Sequence, residues 1–277
     1  MGLRINQNIE ATNAYRNLSV TQGQLSKSME KLSSGFRINR AADDAAGLAI
    51  SEGLRAQTGG LKVAVRNAQD GISVVQTTEG ALTEVHSILQ RMRDLAVQGS
   101  NDSNNADARA NIKAEADQLT SELTRIGNST NFNGTKLLDG SATALNFQVG
   151  ADGDANSAIT VNLSSANVTA VSSSLSAVSF SSFSSSQSAI TAIDAQIKSV
   201  STARANLGAY QNRLEHTIAN VNVAIENLSA SESRIRDTDM ASEMMSFTRS
   251  QILSQAGTAM LAQANSAPQG VLSLLRG

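Results

Sequence analysis

Residues 188–235 read SAITAIDAQIKSVSTARANLGAYQNRLEHTIANVNVAIENLSASESRI, and this stretch decides the fold class. Ile193, Ile197, Val200, Leu207, Leu214, Ile218, Val221, Ile225, Leu228 and Ile235 fall on one unbroken register. Its alternating steps of four and three are those of a helix with a single apolar seam. Only Arg204, Gln211 and Glu232 interrupt it. Polar residues at a seam often fix register or partner.

The N-terminal half repeats the rhythm. Leu61, Val65, Ala68, Ile72 and Val75 keep the register, and Leu82, Val85, Leu89, Met92 and Ala96 resume it after a three-residue slip near Thr78. The spacing predicts a helix over 61–98, roughly 55–60 Å long at the usual rise per residue. A shorter helix over 43–58 should precede it, capped by an aspartate of the Asp43-Asp44 pair and ended by Gly59-Gly60. Beyond the polar turn from Gly99 to Asn105, Ile112, Leu119, Leu123 and Ile126 mark a helix over 105–128 that folds back on the long one.

The middle changes period. Asn133-Gly134 is a turn dipeptide, and residues 145–149 and 159–163 alternate with period two, predicting a β-hairpin region within 132–163. Residues 164–188 are Ser-rich and read as a low-complexity surface segment, a flexible linker or a carrier of O-linked glycans.

Both ends are apolar. Ala11, Tyr15, Leu18, Gln22, Leu25, Met29 and Leu32 form a heptad seam. After a second aspartate cap at Asp237-Thr238-Asp239, the stretch Met240–Gln263 places Met244, Met245, Phe247, Ile252, Leu253, Met260 and Leu261 nearly all round a helix. A helix that is apolar all round must be buried. The N-terminal seam cannot cover it alone, so other copies of the chain are needed. The fold class is therefore mainly α: long antiparallel coiled-coil helices forming a rod, a small β-hairpin region, and paired N- and C-terminal helices. Unlike faces on such a pair favour head-to-tail contacts, which make a filament if they do not close, although a closed bundle fits the same pattern.

Composition narrows the function. The 277 residues include no Cys, no Trp and a single Pro, Pro268, with 3% aromatics and 40% apolar residues. A net charge of -2 speaks against a nucleic-acid partner. No apolar run approaches membrane-spanning length, so no membrane partner is expected. Residues 1–10 lack the pattern of a cleaved signal peptide, and Asn6 stands where a myristoylation motif wants Ser or Thr. Nothing points to catalysis or to a cofactor. His86 and His216 lack metal-ligand spacing, no glycine pattern forms a phosphate cradle, and Asp43 and Asp44 read as caps rather than catalytic carboxylates.

Certain motifs resemble those of the bacterial flagellins. At the N-terminal side they are Lys31-Leu32-Ser33-Ser34-Gly35-Phe36-Arg37-Ile38-Asn39, Asp43-Asp44-Ala45-Ala46-Gly47, Asn67-Ala68-Gln69-Asp70-Gly71-Ile72-Ser73 and Gln76-Thr77-Thr78-Glu79-Gly80-Ala81-Leu82. At the other side they are Leu207-Gly208-Ala209-Tyr210-Gln211-Asn212-Arg213-Leu214, Ser233-Arg234-Ile235-Arg236-Asp237, the segment from Gln251 to Asn265, and Val271-Leu272-Ser273-Leu274-Leu275-Arg276. The resemblance implies a terminal inner-tube domain, 1–42 with 236–277, and a rod domain, 43–235, without large outer domains. It also implies type III export without a cleaved signal, and an extracellular flagellar filament of many copies serving motility. The implied partners are cap proteins, hook–filament junction proteins and an export chaperone. A hook–filament junction protein is the alternative reading. Polymerisation would fall to Leu18, Leu25, Met29, Leu32, Met244, Phe247, Ile252, Met260, Leu261, Leu274 and Leu275. Gln90 to Gln98 is similar to the segment read by the innate immune receptor Toll-like receptor 5, with Arg91, Leu95 and Glu115 at the matching contact positions. Leu119 departs from that pattern, where receptor-activating members often carry a basic residue, and Asp94 replaces the usual Glu.

Overall fold

Helix dominates because the seams do. The computed structural model is 77% helical; it describes residues 7–276, with the side chains of residues 7–267. The chain forms two compact units, Met1–Ala56 with Asn227–Gly277, and Gln57–Glu226. The elements in chain order are α1 (Ile9–Ser34), α2 (Ala45–Gly99), α3 (Ala106–Ser129), β1 (Asn131–Phe132), β2 (Thr135–Lys136), β3 (Ala144–Gln148), β4 (Ala158–Asn162), α4 (Val168–Ser176), α5 (Phe183–Arg236) and α6 (Met240–Arg276).

Within Gln57–Glu226 the two predicted seams meet. Arg93 pairs with Asp194 at 2.7 Å and Glu79 with Arg204 at 3.6 Å, so α2 and α5 run antiparallel here. Val75, Leu82, Val85 and Leu89 of α2 are fully buried with Ile193, Val200 and Leu207 of α5, and Ile112 and Leu123 of α3 close the third side. The slip in the α2 rhythm is absorbed at Thr78. This side chain is 0% exposed, and its hydroxyl donates to the Val74 carbonyl at 2.8 Å, so the core meets no unpaired polar atom there. Arg204 sits on the α5 seam as expected, bridged to Glu79 at the seam's edge.

The break expected at Gly59-Gly60 does not occur: α2 is one helix of 55 residues. Two glycines cost about 2 kcal/mol against alanine in a helix interior. Here Gly60 lets the chain approach closely, since a Cβ on it would lie 3.1 Å from the Ala151 Cβ. Packing therefore overrides propensity. Asp44 caps α2 as the sequence requires, its Oδ1 accepting the Gly47 N–H at 2.8 Å.

Two hairpins occupy the middle. Asn133 (φ 47°) and Gly134 (φ 82°) form the two-residue turn between β1 and β2, a conformation that suits Asn-Gly. β3 and β4 pair antiparallel with Leu145 opposite Val161 and Phe147 opposite Ile159. Both strands begin one residue earlier than the alternation suggests. Their inner residues pack on Ala68 and Leu214, and the Phe147 ring lies against Gly71 of α2.

The Ser-rich segment is not a loose surface linker. α4 buries Val168, Val171, Ser172 and Leu175, and Phe180 beyond it is 1% exposed in the main core. Ser173, Ser174 and Ser176 face outward, each donating to a carbonyl three or four residues back.

Candidate assembly surface

The terminal unit is built around a clasp between residues two hundred positions apart in sequence. The Arg37 N–H donates to the Arg236 carbonyl at 2.7 Å, and the Thr238 N–H donates to the Gly35 carbonyl at 3.0 Å. A β-bridge thereby joins Phe36 to Asp237. The Arg37 guanidinium adds a bond to the Ile235 carbonyl at 2.7 Å. Arg236 lies over the Phe36 ring, 5.0 Å from its centroid, and pairs with Glu52 at 2.5 Å. Asp43 steadies the loop on the other side by accepting the N–H groups of Arg40 (3.0 Å) and Asn39 (3.3 Å). The Arg40 N–H in particular, with Lys27 and Lys31 nearby, holds its carboxyl below the ordinary value against the effect of partial burial.

From this clasp α1 and α6 lie antiparallel along one another. Lys31 meets Glu243 at 3.9 Å near the clasp. At the far end the Asn8 side chain donates to the Ala264 carbonyl at 2.6 Å, while its oxygen caps α1 by accepting the Ala11 N–H at 3.0 Å. Asp239 caps α6 through the N–H groups of Ala241 and Ser242.

The faces that meet interleave small residues with leucines and one phenylalanine. On α6 the inward row is Glu243, Phe247, Ser250, Ser254, Gly257, Leu261 and Ala264. A Cβ on Gly257 would lie 3.2 Å from Leu18 Cδ1, so the helices approach closely there. The α1 row is Ala11, Ala14, Leu18, Thr21, Leu25, Ser28 and Leu32. The seam is thus rotated from the one read in the sequence: Ala14, Thr21 and Ser28 replace Tyr15, Gln22 and Met29. Close packing against Gly257 and two serines favours the smaller row.

Many other large apolar side chains are left outside. Tyr15 is 65% exposed, Met29 54% and Val20 56% on α1; on α6, Met244 is 49% exposed, Met245 65%, Ile252 61%, Leu253 49% and Met260 65%. Met244, Met245, Thr248, Arg249, Ile252 and Leu253 line an open apolar groove along α6. A patch of this kind marks an interaction surface.

The candidate polymerisation residues therefore divide. Leu18, Leu25, Leu32, Phe247 and Leu261 lie in or beside the seam between α1 and α6, where they hold the pair together. Met29, Met244, Ile252 and Met260 face outward. The side chains of Leu274 and Leu275 lie outside the described residues. The small-residue track at 250, 254, 257 and 264 escaped notice in the sequence, although its heptad spacing was the available signal.

The candidate receptor positions divide as well. Arg91 and Glu115 form an exposed ion pair at 2.6 Å that ties α2 to α3. Leu95 is 2% exposed within the main core. Its side chain packs inward in this chain, unlike the exposed Arg91–Glu115 pair.

Comparison with known proteins bears on the whole chain. Residues 5–143 match the family model of the bacterial flagellin N-terminal helical region, and residues 190–275 match that of the C-terminal helical region. The flagellin of Halalkalibacterium halodurans is 56% identical over 272 residues, covering 98% of this chain and 99% of that protein. The flagellin of Bacillus subtilis is 49% identical over 306 residues, covering 99% and 100%. The crystal structure of Bacillus cereus flagellin is 32% identical and superposes with a TM-score of 0.50, over 60% of this chain and 94% of that one. Helical regions matched at both ends, with relatives aligned along their full length, show that this chain belongs to the bacterial flagellin family.

Proposed function

We propose that this chain is the structural subunit of an extracellular flagellar filament, polymerising through the outer faces of α1 and α6 into a helical tube that serves as a propeller. The observation that carries the reading is the partition of the terminal pair. Small residues together with Leu18, Leu25, Leu32, Phe247 and Leu261 fill the contact within one chain, while Tyr15, Met29, Met244, Met245, Ile252, Leu253 and Met260 stay outside it. Burying such a face stabilises an assembly by about 25 cal/mol per Å² of apolar surface removed from water. The occupant that fits is a second copy, because α1 and α6 present unlike apolar faces that can meet head to tail and propagate. Residues 1–42 with 236–277 would form the inner tube and 43–235 the rod. Cap proteins, hook–filament junction proteins and an export chaperone would be its partners.

The test is salt-induced polymerisation followed by electron microscopy. The full chain should form long filaments, and a chain lacking residues 240–277 should form none. If the full chain made only short or closed assemblies, the alternative of a hook–filament junction protein would replace this reading.

Recognition by Toll-like receptor 5 is a second reading, favoured by the exposed Arg91–Glu115 pair bridging α2 and α3. Arg91→Ala should weaken receptor signalling by the free subunit; unchanged signalling would remove the idea.

A further inference from the structure

Five of the six methionines whose side chains are described lie exposed on α1 and α6. Of the seven in the chain, Met92 is 1% exposed in the core of the Gln57–Glu226 unit. Met29, Met240, Met244, Met245 and Met260 are 54, 48, 49, 65 and 65% exposed, all on α1 and α6. Met1 lies outside the described residues. Methionine suits an adaptable contact because its unbranched thioether fills irregular gaps. The same sulfur, left open to solvent, is within reach of any small oxidant.

We infer that Met244, Met245 and Met260 form a thioether-oxidation site, at which a peroxide blocks assembly of the free subunit and from which polymerisation shields them. The sulfur lone pair attacks one peroxide oxygen, an S–O bond forms and the O–O bond breaks. The departing oxygen leaves as hydroxide and takes up the remaining proton as water. The thioether is oxidised by two electrons and the peroxide is reduced by two. The product sulfoxide carries a strong acceptor oxygen. In the groove of Met244, Met245, Ile252 and Leu253, covering that oxygen with an apolar face of the next copy would leave it without a donor. The inference rests on the reading that these faces become buried between copies.

The experiment uses the full-length subunit, partly oxidised with hydrogen peroxide, then polymerised with salt, sedimented and peptide-mapped. Sulfoxide at Met244, Met245 and Met260 should be enriched about tenfold or more in the supernatant over the pellet, as one uncompensated buried polar group requires. Met92 should stay reduced. Treatment with sulfoxide reductases for both epimers should return the supernatant to polymerisation competence. In a variant carrying Met244→Leu, Met245→Leu and Met260→Leu, the pelleted fraction, whatever its starting level, should not respond to peroxide. Should that variant not polymerise at all, the wild-type partition still decides. Equal sulfoxide in pellet and supernatant would overturn the inference and leave the filament reading standing. Oxidation of these residues in preformed filaments as fast as in free subunit would instead overturn the reading that the outer faces of α1 and α6 are buried between copies, on which it rests.

Discussion

Replacing Ile252 by serine separates the two contacts of the terminal pair. The side chain is 61% exposed in the single chain and lines the outer groove of α6. Fully burying an isoleucine is worth about 1.5–3 kcal/mol. Removing only the exposed share would therefore cost an assembly about 1–2 kcal/mol per contact, if the groove is covered by the next copy. Each 1.4 kcal/mol is a factor of ten, so the critical concentration for polymerisation should rise about 5–30-fold. Thermal unfolding of the free subunit should be unchanged, because Ile252 makes little of its contact within the chain. Sedimentation over a range of subunit concentrations gives the first quantity, and circular dichroism of the free subunit gives the second. A critical concentration within twofold of wild type would refute the assignment of the outer groove to assembly. A fall in the free subunit's melting temperature would show that the groove serves the fold of the single chain.

Other changes probe the fold and the clasp. Leu89→Ala, at a core position with 0% exposure, should destabilise the free subunit by about 2–5 kcal/mol in denaturant unfolding. Gly140→Ala should also be destabilising in that assay, by about 1–3 kcal/mol. The backbone there has φ 86°, and an added Cβ would lie 2.3 Å from the Asn167 amide nitrogen, displacing the residue that caps α4. The Asp43 carboxyl has its folded pKa lowered, chiefly by the Arg40 N–H. A lowered acid stabilises the fold fully above its unfolded pKa, and that contribution is lost as pH falls through the folded value. Carboxyl NMR should show Asp43 titrating below the ordinary aspartate value of 3.8. In Asp43→Asn the loop should lose this acid dependence, and a wild-type midpoint at or above the ordinary value would contradict the hydrogen bonding described.

The long seams were legible because many positions agree on one register. From Ile193 to Ile235 every step is four or three, and each of those residues is buried or half-buried in the structure. Asn133-Gly134 was legible for a different reason, since few dipeptides accept two positive φ angles. Gly59-Gly60 misled because the contact that favours a continuous helix lies on Ala151, ninety positions away. The Ser-rich segment hid a helical period, Val168, Val171, Ser172 and Leu175, under a composition that suggests disorder. In α1 the rows through Tyr15 and Ala14 fit a heptad equally well; only the small residues of α6 decide between them, and no reading of α1 alone contains that information. The outward-facing Met29 follows from the same rotation. Leu95 shows the converse limit: a motif matched by position says nothing of which way its side chain turns.

The central claim is that copies meet through the outer faces of α1 and α6. Amide hydrogen exchange of the full chain, compared between free subunit and filament, tests it directly. Polymerisation should slow exchange most along residues 9–34 and 240–267, with the core segments at 74–96 and 193–207 already protected and little changed. Filaments in which new protection falls elsewhere, with the exchange of α1 and α6 unaltered, would contradict the account.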